Sequence, residues 1–154
     1  MCGRVKKKAD GTGGQADQTL GRSCGGFGTK WHGGFNGLGQ PVEMTVTPGQ
    51  ASDIGQAETL LADHEPEAVV ADKGYDSDAF VEEVESRGAK AVIPSRANRT
   101  EPRELDRHTY KERNVCERFW AQAKQFRRVA TRYEKKAANF LAFAWLAALM
   151  VTLK

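Results

Sequence analysis

Four residues carry groups that could do chemistry together: the phenol of Tyr110, the cations of Arg113 and Lys124, and the carboxylate of Glu117. Read as a helix at roughly 100° per residue, and with Tyr110 at zero, Arg113 falls near ~300°, Glu117 near ~340° and Lys124 near ~320°. They form one stripe, a single acid in a line of donors, as a site for a metal ion and a phosphate needs. Spacing alone favours a plainer reading, an amphipathic surface helix with i,i+4 charge pairs such as Arg113 with Glu117. The rest of the chain shifts that balance.

A helix from Tyr110 to about Arg132 is expected to position the stripe. Its opposite face carries Val115, Phe119, Ala123 and Phe126, an apolar band that must be buried. On the same helix Arg128 and Arg132 extend the cationic stripe past Lys124. The preceding Ser95–Thr109 stretch, with Arg96, Arg99, Arg103 and Arg107, reads as a basic loop. Before it come a short apolar strand, Ala68 to Ala71, a turn at Lys73-Gly74-Tyr75, a helix capped by Asp76 or Ser77 and closed by Gly88, and a strand from Lys90 to Ile93. Strand, helix and strand make a βαβ unit with a parallel pair. Ligands collect at the carboxyl ends of such strands, which is where Asp72 stands. Further upstream, Thr29–Asn36 and Pro41–Thr47 read as a hairpin, followed by a helix capped by Ser52 that runs to about Asp63. A last helix is expected from Glu134 to Leu153. Residues 1–28, rich in Gly and Lys, read as a flexible arm, and 29–154 as one α/β domain.

Net charge is only +3, but it is segregated. Asp53 to Arg87 holds eleven acids and two bases, whereas Ser95 to Lys136 holds thirteen bases and six acids. The basic part points to a polyanionic partner. Cys2, Cys24 and Cys116 form no C-x-x-C pair and the three histidines are scattered, which argues against a zinc site and for a reduced, cytoplasmic setting. No apolar segment follows the N-terminal lysines, so no signal peptide is read there. The apolar run Phe140–Leu153 is too short to span a bilayer and reads as a buried core helix.

The helix matches the Y-(x2)-R-(x3)-E-(x6)-K signature of the DDE transposases of bacterial insertion sequences, in the branch of families four and five. Ala71-Asp-Lys-Gly-Tyr-Asp76 resembles the segment of that family's second catalytic acid. Leu20-Gly-Arg-Ser, Thr47-Pro-Gly-Gln-Ala-Ser-Asp53, Val92-Ile-Pro-Ser-Arg96, Phe126-Arg-Arg-Val-Ala-Thr-Arg-Tyr133 and Asn139-Phe-Leu-Ala-Phe143 are also similar to family sequence. The resemblance covers roughly residues 20–154. It implies a ribonuclease H-like mixed sheet with flanking helices, and three acids holding two divalent metals, magnesium by their hard oxygen donors. Asp72 matches the second acid and Glu117 the third, both metal ligands. Tyr110, Arg113 and Lys124, with Arg96, Arg99, Arg127, Arg128 and Arg132, would contact DNA.

One departure matters. The family's first acid belongs to a central strand in a segment resembling Asp-Ser-Thr, and this sequence has none; Asp10 and Asp17 sit in Gly-rich sequence. The expectation is a catalytic domain incomplete at its N-terminus, with the first central strand missing. Alone it should have little strand-transfer activity. The alternative is an inactive DNA-binding remnant, or an inhibitor of the intact enzyme. The implied partners are transposon ends, target DNA and a second or intact transposase copy, in the bacterial nucleoid.

Overall fold

The computed structural model of the chain describes residues 2–7, 18–23 and 26–153, with backbone alone for 2–7 and Ser23. Its larger sheet is built on the hairpin β3 (Gly26–Phe35) and β4 (Pro41–Pro48), which pair antiparallel from Thr29↔Pro48 to Phe35↔Pro41. Asn36 closes the turn: its carboxamide oxygen accepts from the backbone N–H groups of Leu38 and Gln40, an Asx-type device beside the backbone bond from Gly39 N to Asn36 O. The other edge of β3 takes β2 (Gly21–Ser23) and then β1 (Cys2–Lys7), both antiparallel.

Strand β1 corrects the reading of residues 1–28 as an arm and of the sheet as lacking a central strand. Cys2–Lys7 lies between β3 and β7 (Thr131–Arg132), the latter parallel to it. The partners supply the ladder that local composition does not predict, since strand formation depends more on its neighbours than on intrinsic preference. The rest of that expected arm, residues 8–17 and 24–25, lies outside the described residues.

The βαβ unit forms as expected. β5 (Ala68–Val70) and β6 (Lys90–Val92) pair in parallel, Val69 opposite Ala91, and α2 (Asp78–Ser86) crosses between them. Ser77 Oγ accepts from Phe80 N at the start of α2, and Gly88, at φ +78, ends it. The α2 residues Phe80, Val81 and Val84 are buried against Tyr75, Ile93 and Leu61. The expected helix to Asp63 is shorter: a 3-10 turn at Ile54–Gln56, then α1 (Ala57–Leu61). Asp53, not Ser52, stands at its cap position, and its side chain makes no capping bond.

The signature helix does not run unbroken to Arg132. α3 (Arg107–Tyr110), a 3-10 turn (Lys111–Arg113) and α4 (Asn114–Ala123) follow one another, and the chain then turns. Phe126 is extended (φ −77, ψ 109), a short α5 (Arg127–Ala130) follows, and Thr131 enters β7. Phe126 still packs on the core that Phe119 and Ala123 occupy, while the chain beyond it turns away from the helix axis to reach β7. α4 buries Phe119 and Trp120 on β3; the rings of Trp31 and Trp120 meet edge to face at 4.4 Å. Such pairs add about 1 kcal/mol beyond area burial. α6 (Ala137–Thr152) buries Phe140, Ala144, Ala147 and Ala148, an i, i+4, i+7, i+8 face whose small residues allow close approach. Leu146, Leu149, Met150 and Leu153 on its other side are exposed, so only half of this helix meets the expectation of a buried one. Among the described residues no helix is long and apolar enough to cross a membrane.

β3 runs past its last described β1 partner, His32, as far as Phe35, and β5 pairs with β6 on one edge only. A groove of about 350 Å³ separates these two edges, lined by Gly34, Phe35, Val69 and Val70 and closed by Leu61 of α1 and Cys116 of α4.

Candidate active-site cleft

Asp72 follows β5 by two residues, in an extended conformation (φ −82, ψ 172), and its Oδ1 accepts from Gly74 N at 2.8 Å. That bond caps a single 3-10 turn, Lys73–Tyr75, and fixes the carboxylate at the rim of a cleft of about 630 Å³. Tyr110 and Arg113, from the start of the signature helix, line the same cleft, as do Arg96 and Asp53. Four separate stretches of sequence therefore meet there.

The basic loop is fastened to the Asp72 turn. Arg96 donates through Nε to Lys73 O and through Nη2 to Gly74 O. Asp76, with its side chain 1% exposed, accepts from Arg96 N at 2.7 Å and from the guanidinium groups of Arg99 and Arg103, which also reach Asp78. Burial pushes the Asp76 carboxyl up, but the Arg96 N–H bond and the two guanidinium groups outweigh it and hold its pKa below the usual carboxylate value. Asp76 stays ionised and staples the loop to α2. Arg99, expected to contact DNA, is committed to this internal network; Arg96 stays exposed at the cleft.

The remaining candidates scatter. Glu117 is exposed and bound to Arg113 one turn earlier. Arg113 also lies 5.5 Å from the Tyr110 ring centre. Arg113 lines the cleft and Glu117 does not, so the third expected acid reaches the Asp72 cleft only through its arginine partner. Lys124 is exposed at the end of α4, outside the cleft. Arg127 and Arg128 are exposed on α5, Arg128 resting on the Phe143 ring at 4.6 Å. Arg132 overturns its assignment to a DNA surface. It is 1% exposed, and its guanidinium donates to Glu134 O, Lys135 O and Thr29 Oγ. The turn at Phe126 rotates it inward, where it ties β7 to β3.

Asp53 is the functional candidate that spacing did not reveal. Its Oδ1 accepts from Lys30 Nζ at 2.9 Å. A Cβ placed on Gly74 would fall 2.8 Å from Asp72 Oδ1 and 3.6 Å from Asp53 Oδ2. Two carboxylates from different elements thus stand close to Gly74, Asp72 held by Gly74 N and Asp53 by Lys30. Among the described residues no cluster of three or more potential metal ligands forms. The cue to Asp53 in the sequence is that it closes the Thr47–Asp53 segment, one of those similar to family sequence.

Behind Asp53, His32 is fully buried, with Nε2 2.7 Å from Thr47 Oγ and Nδ1 without a hydrogen-bond partner among the described residues, 4.0 Å from Asp53 Oδ1. Burial lowers its pKa to about 4, against a smaller upward pull from Asp53.

The Transposase DDE domain family matches residues 7–153. A Brucella ovis protein named as a transposase for insertion sequence element IS6501 is 35% identical over 130 residues, 82% of this chain and 98% of that protein. No solved structure matches. A match across nearly the whole chain, with the Asp72 turn and the signature helix meeting at one cleft, leads to one assignment: the chain belongs to the DDE transposases of insertion sequences.

Proposed function

We propose that this chain is a catalytic-domain portion of an insertion-sequence transposase that cuts and joins the DNA backbone at the element's ends. Asp72 and Glu117 are its acids and metal ligands; Tyr110, Arg113 and Lys124 orient phosphates. The observation that carries this reading is the cleft shared by Asp72, Tyr110, Arg113 and Arg96. A pair of bound magnesium ions would supply activation of the attacking oxygen and stabilisation of the leaving one. The chain's own residues do the positioning. Gly74 N holds Asp72 in place. Arg96, pinned by two carbonyls, keeps a positive charge at the rim. Arg113 couples Tyr110 to Glu117.

The finer part of the reading is that the site lacks its first acid. It draws on the absence from the sequence of a segment resembling Asp-Ser-Thr. A second reading, a DNA-binding remnant without catalysis, draws on Glu117 standing outside the Asp72 cleft. In a gel-shift and plasmid-nicking experiment with terminal inverted repeats, the chain is expected to bind DNA. In magnesium it should nick no faster than Asp72→Asn. Nicking that Asp72→Asn abolishes would establish a self-sufficient enzyme, and absence of DNA binding would overturn both readings.

A further inference from the structure

We propose that the outer face of α6 is a two-fold interface, and that it pairs with α6 of a second copy of this chain. The inference goes beyond the transposase reading and does not rest on it.

From Ala137 to Leu153 the sequence holds no acid and no base. A helix that is apolar all round belongs in an interior. Among the described residues only one side of α6 finds one. At about 100° per residue, Phe140, Ala144, Ala147 and Ala148 gather on the buried side. Ala142, Leu146, Leu149 and Leu153 lie opposite them, with Trp145 and Met150 on either flank, and all six are exposed. Trp145 is 39% exposed, Leu146 57%, Leu149 54%, Met150 52% and Leu153 74%. At those exposures the five large side chains present roughly 500 Å² of apolar surface in one patch, the upper end of what a lone soluble domain shows. Two copies face to face would remove about 1,000 Å² from water, the size at which specific interfaces begin.

The spacing says what covers this face. Ala142, Leu146, Leu149 and Leu153 stand 4, 3 and 4 residues apart, the a/d seam of helix-on-helix packing. The seam is also its own complement. Turned antiparallel about a two-fold axis midway between Ala147 and Ala148, Leu146 of one copy meets Leu149 of the other, and the small Ala142 meets the longer Leu153. Parallel pairing loses that match. It also sets the exposed Lys135 and Lys136 of both copies side by side, where like charges repel; antiparallel pairing keeps them at opposite ends. In such an isologous contact every interaction is made twice.

The experiment is sedimentation velocity of the full chain from about 1 to about 100 µM, the range an interface this small supports. A species of twice the 16.9 kDa chain mass should appear. Two double variants are compared with it, Leu146→Glu with Leu149→Glu, and Leu146→Lys with Leu149→Lys. Each should run as a monomer over that range and keep the circular dichroism of the unmodified chain, because both positions are exposed. An equimolar mixture of the two should recover the dimer, since opposite charges then meet across the axis. Leu38→Glu, on the β3–β4 turn and 83% exposed, should leave the dimer unchanged. An unmodified chain that is monomeric throughout overturns the proposal and leaves the face to a different occupant. A dimer that survives both double variants places the contact elsewhere and overturns it too. A mixture that stays monomeric refutes the pairing of this face with itself.

Discussion

His32 is the residue on which the stability of the larger sheet should depend most visibly. Its ring is buried between β3 and β4, its Nε2 meets Thr47, and burial holds its pKa near 4 rather than 6.5. The folded protein therefore keeps it neutral where the unfolded chain would already take up a proton. Stability from this group is fully present above pH 6.5 and is lost as pH falls toward 4, below which the dependence flattens. A shift of that size corresponds to about 3 kcal/mol. Urea unfolding midpoints should fall between pH 7 and pH 4.5. His32→Gln, which retains a polar group for Thr47, should lower the midpoint at pH 7 and remove most of the fall. An undiminished fall in His32→Gln would assign it to other groups, with Asp53 and Lys30 the nearest charges facing the ring.

At the scale of elements, the βαβ unit is the part that local sequence determines most directly, and Gly88 tests this. It closes α2 at φ +78 with nothing within 4 Å of where a Cβ would stand, so Gly88→Ala should cost about 1 kcal/mol through backbone strain alone. A urea titration of the variant with an unchanged slope and a lower midpoint is the expected result. This unit was legible because its signals are local: Ser77 before an apolar face, a glycine after it, short apolar runs on either side. The same holds for the hairpin turn at Asn36–Gly39. What was not legible depends on neighbours distant in sequence. Cys2–Lys7 becomes a strand only because β3 and β7 flank it. The signature helix ends at Ala123, and Thr131–Arg132 returns to pair with β1, which sends Arg132 inward to Thr29. Of the expected site, Asp72, Tyr110, Arg113 and Arg96 could be grouped from sequence because a strand end, a helix face and a basic loop each have a periodic or compositional mark. Asp53 has no periodic or compositional mark, since its partners Lys30 and His32 lie on another segment.

The whole molecule decides which of its cations are free to meet DNA. The basic stretch Ser95–Lys136 looks like a uniform polyanion surface, but its arginines divide into two groups once folded. Arg99 and Arg103 neutralise Asp76 and Asp78, and Arg132 is spent inside the sheet on Thr29 and two carbonyls. Lys124 and Arg127 remain exposed beyond the cleft, Arg128 is exposed but 3.7 Å from the Glu134 carboxylate, and Arg96 stands at the rim. Each phosphate a free cation neutralises releases condensed counterions and adds about 0.9 to the slope of log affinity against log salt. Substituting Lys124 or Arg127 with Gln should therefore reduce that slope by about one while leaving the urea midpoint unchanged. Substituting Arg99 or Arg132 should do the reverse: the salt slope of the folded fraction is kept and the urea midpoint falls, corresponding to roughly 1–3 kcal/mol for buried acceptors left without their donor. Fluorescence anisotropy on a labelled duplex at several salt concentrations, beside urea melts of the same four variants, separates the two groups. A slope that drops equally for Arg99 and Arg127 would mean that the Asp76 network opens when DNA binds. The loop from Ser95 to Arg103 would then belong to the DNA surface rather than to the scaffold.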